Sequence, residues 1–179
     1  MKDQPIDPVD GVQLLRSYLL HCRYVRRGIN RVALALNERA DCHDDSKLLA
    51  DEFAGFSRIN KAAREHPYGS PEYRAGLKQE KPTIDLHYSR NSHHPEFHGD
   101  PVEGACAIGL KTPYESMTWL DLIEMVCDWR GAYLAYGSQG TWEENIQRQK
   151  ERYGPFEQWF TKEQWWLIEQ VAVFVATVK

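Results

Sequence analysis

Histidine and aspartate recur along this chain in an order that could hold a first-row metal: His21, the doublet His43-Asp44, His87, the pair His93-His94, and Asp128. Imidazole and carboxylate together suit one or two divalent ions such as Mn, Fe, Ni, Co or Zn, with Mg as a further option. His21 falls on the apolar stripe of Leu14, Tyr18 and Val25, so helical periodicity turns it inward. His43 follows Leu36 by seven residues and returns to the same helical face. His87 and His94 are also seven apart, about 700° of helical rotation, which brings both to one face with Asn91 between them and turns His93 elsewhere. Asp121, Glu124 and Asp128 share a face by the same arithmetic, and Asp128 lies deepest in its apolar segment.

Each of these residues also has a plain structural reading. A lone inward histidine is commonly a hydrogen-bonded core residue, and Asp121 or Glu124 could be acids that complement a helix start. His66 and His98 fall in loops and are expected at the surface. Cys22, Cys42 and Cys127 each neighbour a proposed ligand, but a helical neighbour points about 100° away, so they are expected to pack as small core residues.

The elements that must position these groups read as helices throughout. The first runs to Gly28 as its natural stop, and a second starts near Asn30 and passes Val32, Leu36 and Arg39. Ser46–Phe56 continues helically, and the HPYGSP run at 66–71 is a connection. Pro71–Gln79 is a short helix, and Pro82 fits the first turn of the next, which is expected to run to the HHPE segment at 93–96. Residues 98–118 carry three glycines and two prolines without helical period and read as one long loop. Thr118 and Asp121 form a capping-box-like start to an apolar helix ended by Gly137 and Gly140. Trp142–Tyr153 and Lys162–Val178 supply two more helices. The fold class is therefore all-α: one helical domain over residues 1–179, with a tail at 1–8.

Composition sets the limits. A chain of 179 residues with 42% hydrophobic and 27% charged residues is an ordinary globular protein with a sizeable core. Its net charge of −4 removes the broad basic face that duplex nucleic acid favours. The four cysteines form no CxxC pair, which points to reduced thiols in a cytoplasmic compartment. The polar N-terminus and the interrupted apolar stretch at 165–178 argue against secretion and against a membrane partner.

The order His, His-Asp, further histidines, Asp resembles the HD superfamily of metal-dependent phosphohydrolases. HDDSK at 43–47 looks like its His-Asp doublet with a following lysine, and HHPEFHG at 93–99 looks like the second histidine motif of its two-metal members. HDDSKL, HYSRNSHHPE at 87–96 and MTWLDLIEMVCDW at 117–129 are more closely similar to a family of uncharacterised HD-like domains common in phages and bacteria. The resemblance implies a helical bundle with the metal site between helices, and a host-cytoplasm location if the chain is phage-encoded. It implies His21, His43, Asp44 and Asp128 as the minimal metal set, with Asp44 bridging and His87 and His94 added if a second metal binds. In better-known two-metal members the middle histidines come from separate helices, whereas His87 and His94 share one segment here.

The leading expectation is hydrolysis of a phosphate ester, with a nucleotide as the natural small-molecule substrate for a chain with six tryptophans. Asp44 would serve catalysis through the metal, Lys47 or Arg90 would offset developing charge, and Glu52, Glu96 or Glu124 would protonate the leaving group. Lys47, Arg90 and Asn91 are the expected substrate-binding residues, although Lys47 also reads as a solvated surface lysine. Two alternatives stand beside this: a two-iron oxygenase on the same fold, and a non-enzymatic helical module that binds protein through aromatic residues at 133–142 and 159–166. A homodimer through the C-terminal helix is compatible with the sequence.

Overall fold

The computed structural model describes residues 7–67, 70–99, 116–136, 140–153 and 160–178. Among these the chain is all-α, as the periodicity predicts: α1 (Pro8–Asp41), α2 (Ala50–Glu65), α3 (Pro71–Gln79), α4 (Lys81–Tyr88), α5 (Trp119–Ala135), α6 (Trp142–Arg152) and α7 (Lys162–Val175). Single 3-10 turns cover Asp45–Leu48 and Pro95–His98. None of the helices is long and apolar enough to cross a membrane. The long loop expected at 98–118 lies almost wholly outside the described residues, as do Cys106, Gly137, Trp159 and most of the expected N-terminal tail.

The chain divides into two compact units, Met1–His43 and Asp44–Lys179, of which only the second has a core. The first is a single 34-residue helix that begins on Pro8, with the Asp7 side chain accepting from the Val9 amide. The expected stop at Gly28 does not occur. A mid-helix glycine costs only about 1 kcal/mol, and here it follows two good helix formers, Arg26 and Arg27, with no proline to end the ladder. The inward position expected for His21 is likewise not observed, because α1 buries none of its residues.

In the second unit, the helix expected from Ser46 to Phe56 breaks at Leu49, whose extended backbone (φ −74°, ψ 148°) separates a 3-10 turn from α2. α3 and the start of α4 fall where Ser70, Pro71 and Pro82 place them. α2 and α4 cross closely at Gly55, where an added Cβ would lie 2.1 Å from the Thr83 hydroxyl. That crossing sets Glu52, one turn before Gly55, against His87, one turn after Thr83.

The capping box of Thr118 and Asp121 forms as expected, and equivalent boxes at Thr141/Glu144 and Thr161/Gln164 start α6 and α7. α5 ends at Ala135, with Tyr136 rather than a glycine as its cap. The core consists of Met117, Leu122, Met125, Val126 and Trp129 packed with Trp142, Tyr153, Phe160, Trp165 and the inner face of α7. Arg130 donates to the carbonyls of Ala176 and Val178 at 3.0 and 2.7 Å, placing a cation at the α7 C-terminus where the helix dipole favours one.

Candidate metal centre

Asp44 opens the second unit in a left-handed conformation (φ 61°), the only positive φ among the described non-glycine residues. Aspartate tolerates this region better than most side chains, and such backbone outliers concentrate where a side chain must be aimed. The carboxylate that results is shared among three neighbours. Oδ1 lies 3.1 Å from His87 Nε2 and 3.5 Å from His93 Nε2, while Oδ2 accepts from the Lys47 ammonium.

Each of the two histidines is backed by a carboxylate at its other nitrogen. His87 Nδ1 is 3.0 Å from Oε2 of Glu52, and His93 Nδ1 is 3.2 Å from Oε1 of Glu124. Around His87 the donors can be assigned. Asn91 donates to the His87 carbonyl at 2.8 Å and to Ser46 Oγ at 2.9 Å, and Ser46 Oγ donates to Glu52 at 2.9 Å. The remaining acceptor for the Nδ1 proton is Glu52, at 3.0 Å. Nε2 of His87 is then a lone pair, buried and without a hydrogen bond, directed toward Asp44.

His94 completes the cluster. Its ring centroid lies 4.9 Å from that of His87 and 4.1 Å from that of His93, and its Nε2 is also buried without a hydrogen bond. Burial, followed by the charges of His93 and His87, pushes its pKa down to about 2, so the ring stays neutral and keeps a ligating lone pair. One ligand atom from each of Asp44, His87, His93 and His94 lies within 4.8 Å of the others. Bonds of about 2.1 Å around one ion separate neighbouring ligands by roughly 3–3.5 Å, so a small closure would seat a divalent metal. The donor set, three imidazoles and a carboxylate with the buried Nε2 atoms of His87 and His94 unbonded, fits such an ion.

The expected route to this convergence requires correction. α4 ends at Tyr88, so His87 and His94 do not share a helix face; a turn through 89–93 folds His93 and His94 back over His87. His93, expected to point away, is only 2% exposed and faces Asp44. Asn91 and Arg90, expected to bind substrate, are occupied within the site. Arg90 donates to Glu52 at 2.8 Å and to both oxygens of Asp51 at 3.0 and 2.5 Å.

A carboxylate oxygen of Asp128 lies within 4.8 Å of one of Asp44, the proximity the sequence implies. Asp121 is the more deeply buried of the two, but as a structural acid: it accepts from the Thr118 amide and hydroxyl and, at 2.7 Å, from Ser92. Glu124 holds His93, and Glu96 pairs at 3.6 Å with Arg152. His21 and His43 belong to the first unit, His43 being its last residue. Cys22, Cys42 and Cys127, expected in the core, are exposed thiols. Glu52 is fully buried, and its part in holding His87 was not signalled by its position in the first turn of an otherwise amphipathic helix.

The chain matches the family of unknown function DUF5662 over residues 12–172 and belongs to that family. Neither a curated protein nor a solved structure matches it.

Proposed function

We propose that this protein is a metal-dependent phosphohydrolase acting on a small phosphate ester, with nucleotides as the substrate class. The observation that carries this reading is the convergence of two carboxylate-backed histidines on one oxygen of Asp44, an outer-shell arrangement typical of metal-ligating imidazoles. Asp44, His87, His93 and His94 would hold the first divalent transition metal. His43, covalently next to Asp44, and Asp128 extend the set toward a second ion, whereas His21, twenty residues up the unbroken α1 and so about 30 Å from its end, does not join it. Bound there, the ion would acidify a water toward neutral pH and draw charge from the phosphoryl oxygens.

The protein groups divide the remaining work. Glu52 and Glu124 fix the ring orientation and tautomer of His87 and His93. Lys47, one-third exposed beside Asp44, supplies a point charge for a phosphate oxygen. With Glu52 and Glu124 committed to imidazoles, Glu96, whose Oε2 is buried without a hydrogen bond, is left to protonate the leaving group. The exposed free thiols suit a reducing compartment, and we assign the protein to the cytoplasm.

The test is elemental analysis of protein purified without chelator, followed by turnover of ribo- and deoxynucleoside mono-, di- and triphosphates, cyclic nucleotides and an aryl phosphate with Mn, Fe, Ni, Co, Zn and Mg. At least one equivalent of metal is expected, lost in His87→Ala and His93→Ala and kept in His66→Ala. Substoichiometric metal after reconstitution would remove the metal centre. Full metallation without turnover, but with oxygen uptake, would favour the two-iron oxygenase.

A further inference from the structure

α1 leaves an apolar seam whose repeat differs from that of a helix lying on a globular core. Gly11, Leu15, Tyr18, Cys22, Val25, Ile29, Val32 and Leu36 follow one another at alternating steps of four and three residues. A sustained 3.5-residue period is the requirement of two helices that supercoil around each other, whereas packing on a core calls for a broader stripe at 3.6. Six of these eight positions are exposed, those other than Cys22 from Val32 at 41% to Ile29 at 63%, while Gly11 and Leu36 are half-covered.

Charge is sorted around the seam in the same register. Arg16, Arg23, Arg27 and Arg31 all project about 100° or more from its leading positions, Arg26 flanks it, and Arg39, three residues past Leu36, closes its C-terminal end. The other flanking positions on the Arg26 side and opposite include Leu14, Leu19, Gly28, Ala33 and Ala35, which are apolar or small enough for close approach. A cationic helix thus presents one stripe, from Gly11 to Leu36, on which an identical helix can lie with four of its six arginines turned away.

We propose that α1 pairs with α1 of a second copy of this chain through that seam. Burying the seven larger seam side chains on each copy, at roughly 60–120 Å² each, removes on the order of 1,000 Å² from water. That reaches the size at which a specific interface becomes stable. The proposal is independent of the metal centre, whose four converging residues Asp44, His87, His93 and His94 belong to the second unit.

The experiment is sedimentation or light scattering of the full chain at micromolar concentration. Twice the 20.8 kDa chain mass is expected. Val25→Asp with Ile29→Asp should give a monomer, and the milder Ile29→Asn should weaken association at least tenfold. Leu20→Asp with Leu34→Asp, which removes exposed apolar residues on the far side of α1, should leave the dimer intact. All six tryptophans lie between 119 and 166, so an unchanged near-ultraviolet circular dichroism spectrum certifies that the second unit is folded in every variant. A monomeric wild-type chain, a dimer that survives both seam variants, or equal dissociation by the far-side pair would each overturn the proposal.

Discussion

Replacing Glu52 by glutamine changes one buried oxygen to an amide nitrogen, and the structure says what that should do. The carboxylate is fully buried and accepts from Ser46 at 2.9 Å, from Arg90 at 2.8 Å and from His87 Nδ1 at 3.0 Å. A glutamine has one acceptor oxygen. Turned toward Arg90, it points its NH2 at His87 Nδ1, which must then give up its proton and carry it on Nε2 instead. Turned toward His87, it sets NH2 against the guanidinium. The first orientation is met by the tautomer change and the second sets a donor against a donor, but either loses a charge-assisted hydrogen bond, a loss of about 2–3 kcal/mol once Arg90 falls back on Asp51. In a unit of 136 residues that lowers Tm by roughly 6–12 °C. Because the favoured orientation protonates Nε2, Mn or Zn affinity measured by calorimetry should fall between about 10- and 100-fold, the range for outer-shell partners of ligating histidines. Glu52→Ala should be worse for stability, about 3–5 kcal/mol, since it strands Arg90 and His87 together. Wild-type metal affinity in a folded Glu52→Gln protein would refute the assigned tautomer and, with it, the claim that Glu52 positions His87.

Two further outcomes follow from the same region. Gly55→Ala drives a methyl against the Thr83 side chain at the α2–α4 crossing, so it should cost about 1–3 kcal/mol by denaturant titration and weaken metal binding by moving Glu52 from His87; Gly55→Ala with Thr83→Ala should recover most of both. His94, whose pKa in the folded chain is depressed to about 2 mainly by burial, takes up a proton on unfolding. Its neutral form is matched in both states above the unfolded value near 6.5, so metal-free protein should hold constant stability there and lose it progressively as pH falls below 6.5. Urea midpoints between pH 8 and 5 measure this, and His94→Gln should flatten the lower part of the curve; an equally steep loss in that variant would place the titrating group elsewhere.

Helix class and most starts were legible because they depend on local chemistry. Ser70, Thr118, Thr141 and Thr161 each accept from the amide three residues on, and Pro71 and Pro82 sit in first turns where the missing N–H costs nothing. Helix ends were less so. Gly28 is a plausible stop, yet the helix continues through it to Asp41. Tyr88 carries no terminating signature, yet α4 stops there because Ser89, Arg90 and Asn91 turn their hydrogen bonds back onto Leu86, His87 and the α2 acids.

That misplaced end decided which histidine the sequence could nominate. On a helix reaching residue 94, His93 must face away from His87; in a turn, adjacent side chains can be brought to the same side, and both His93 and His94 enter the cluster. Residue type carried further than periodicity: Asp44, the paired histidines and Asp128, read as candidate ligands from type and order, do come together, whereas His21 does not. The outer partners of the histidines were not legible, since Glu52 and Glu124 differ from any surface glutamate only in what the fold places opposite them. A carboxylate behind an imidazole is a tertiary fact, set here by the Gly55–Thr83 crossing for Glu52 and by the register of α5 against the 89–93 turn for Glu124. The two carboxylates therefore carry more diagnostic weight than the candidate ligands themselves: a chance cluster of histidines has no reason to acquire an acid behind two of its members, each turning a ring nitrogen toward the same oxygen of Asp44.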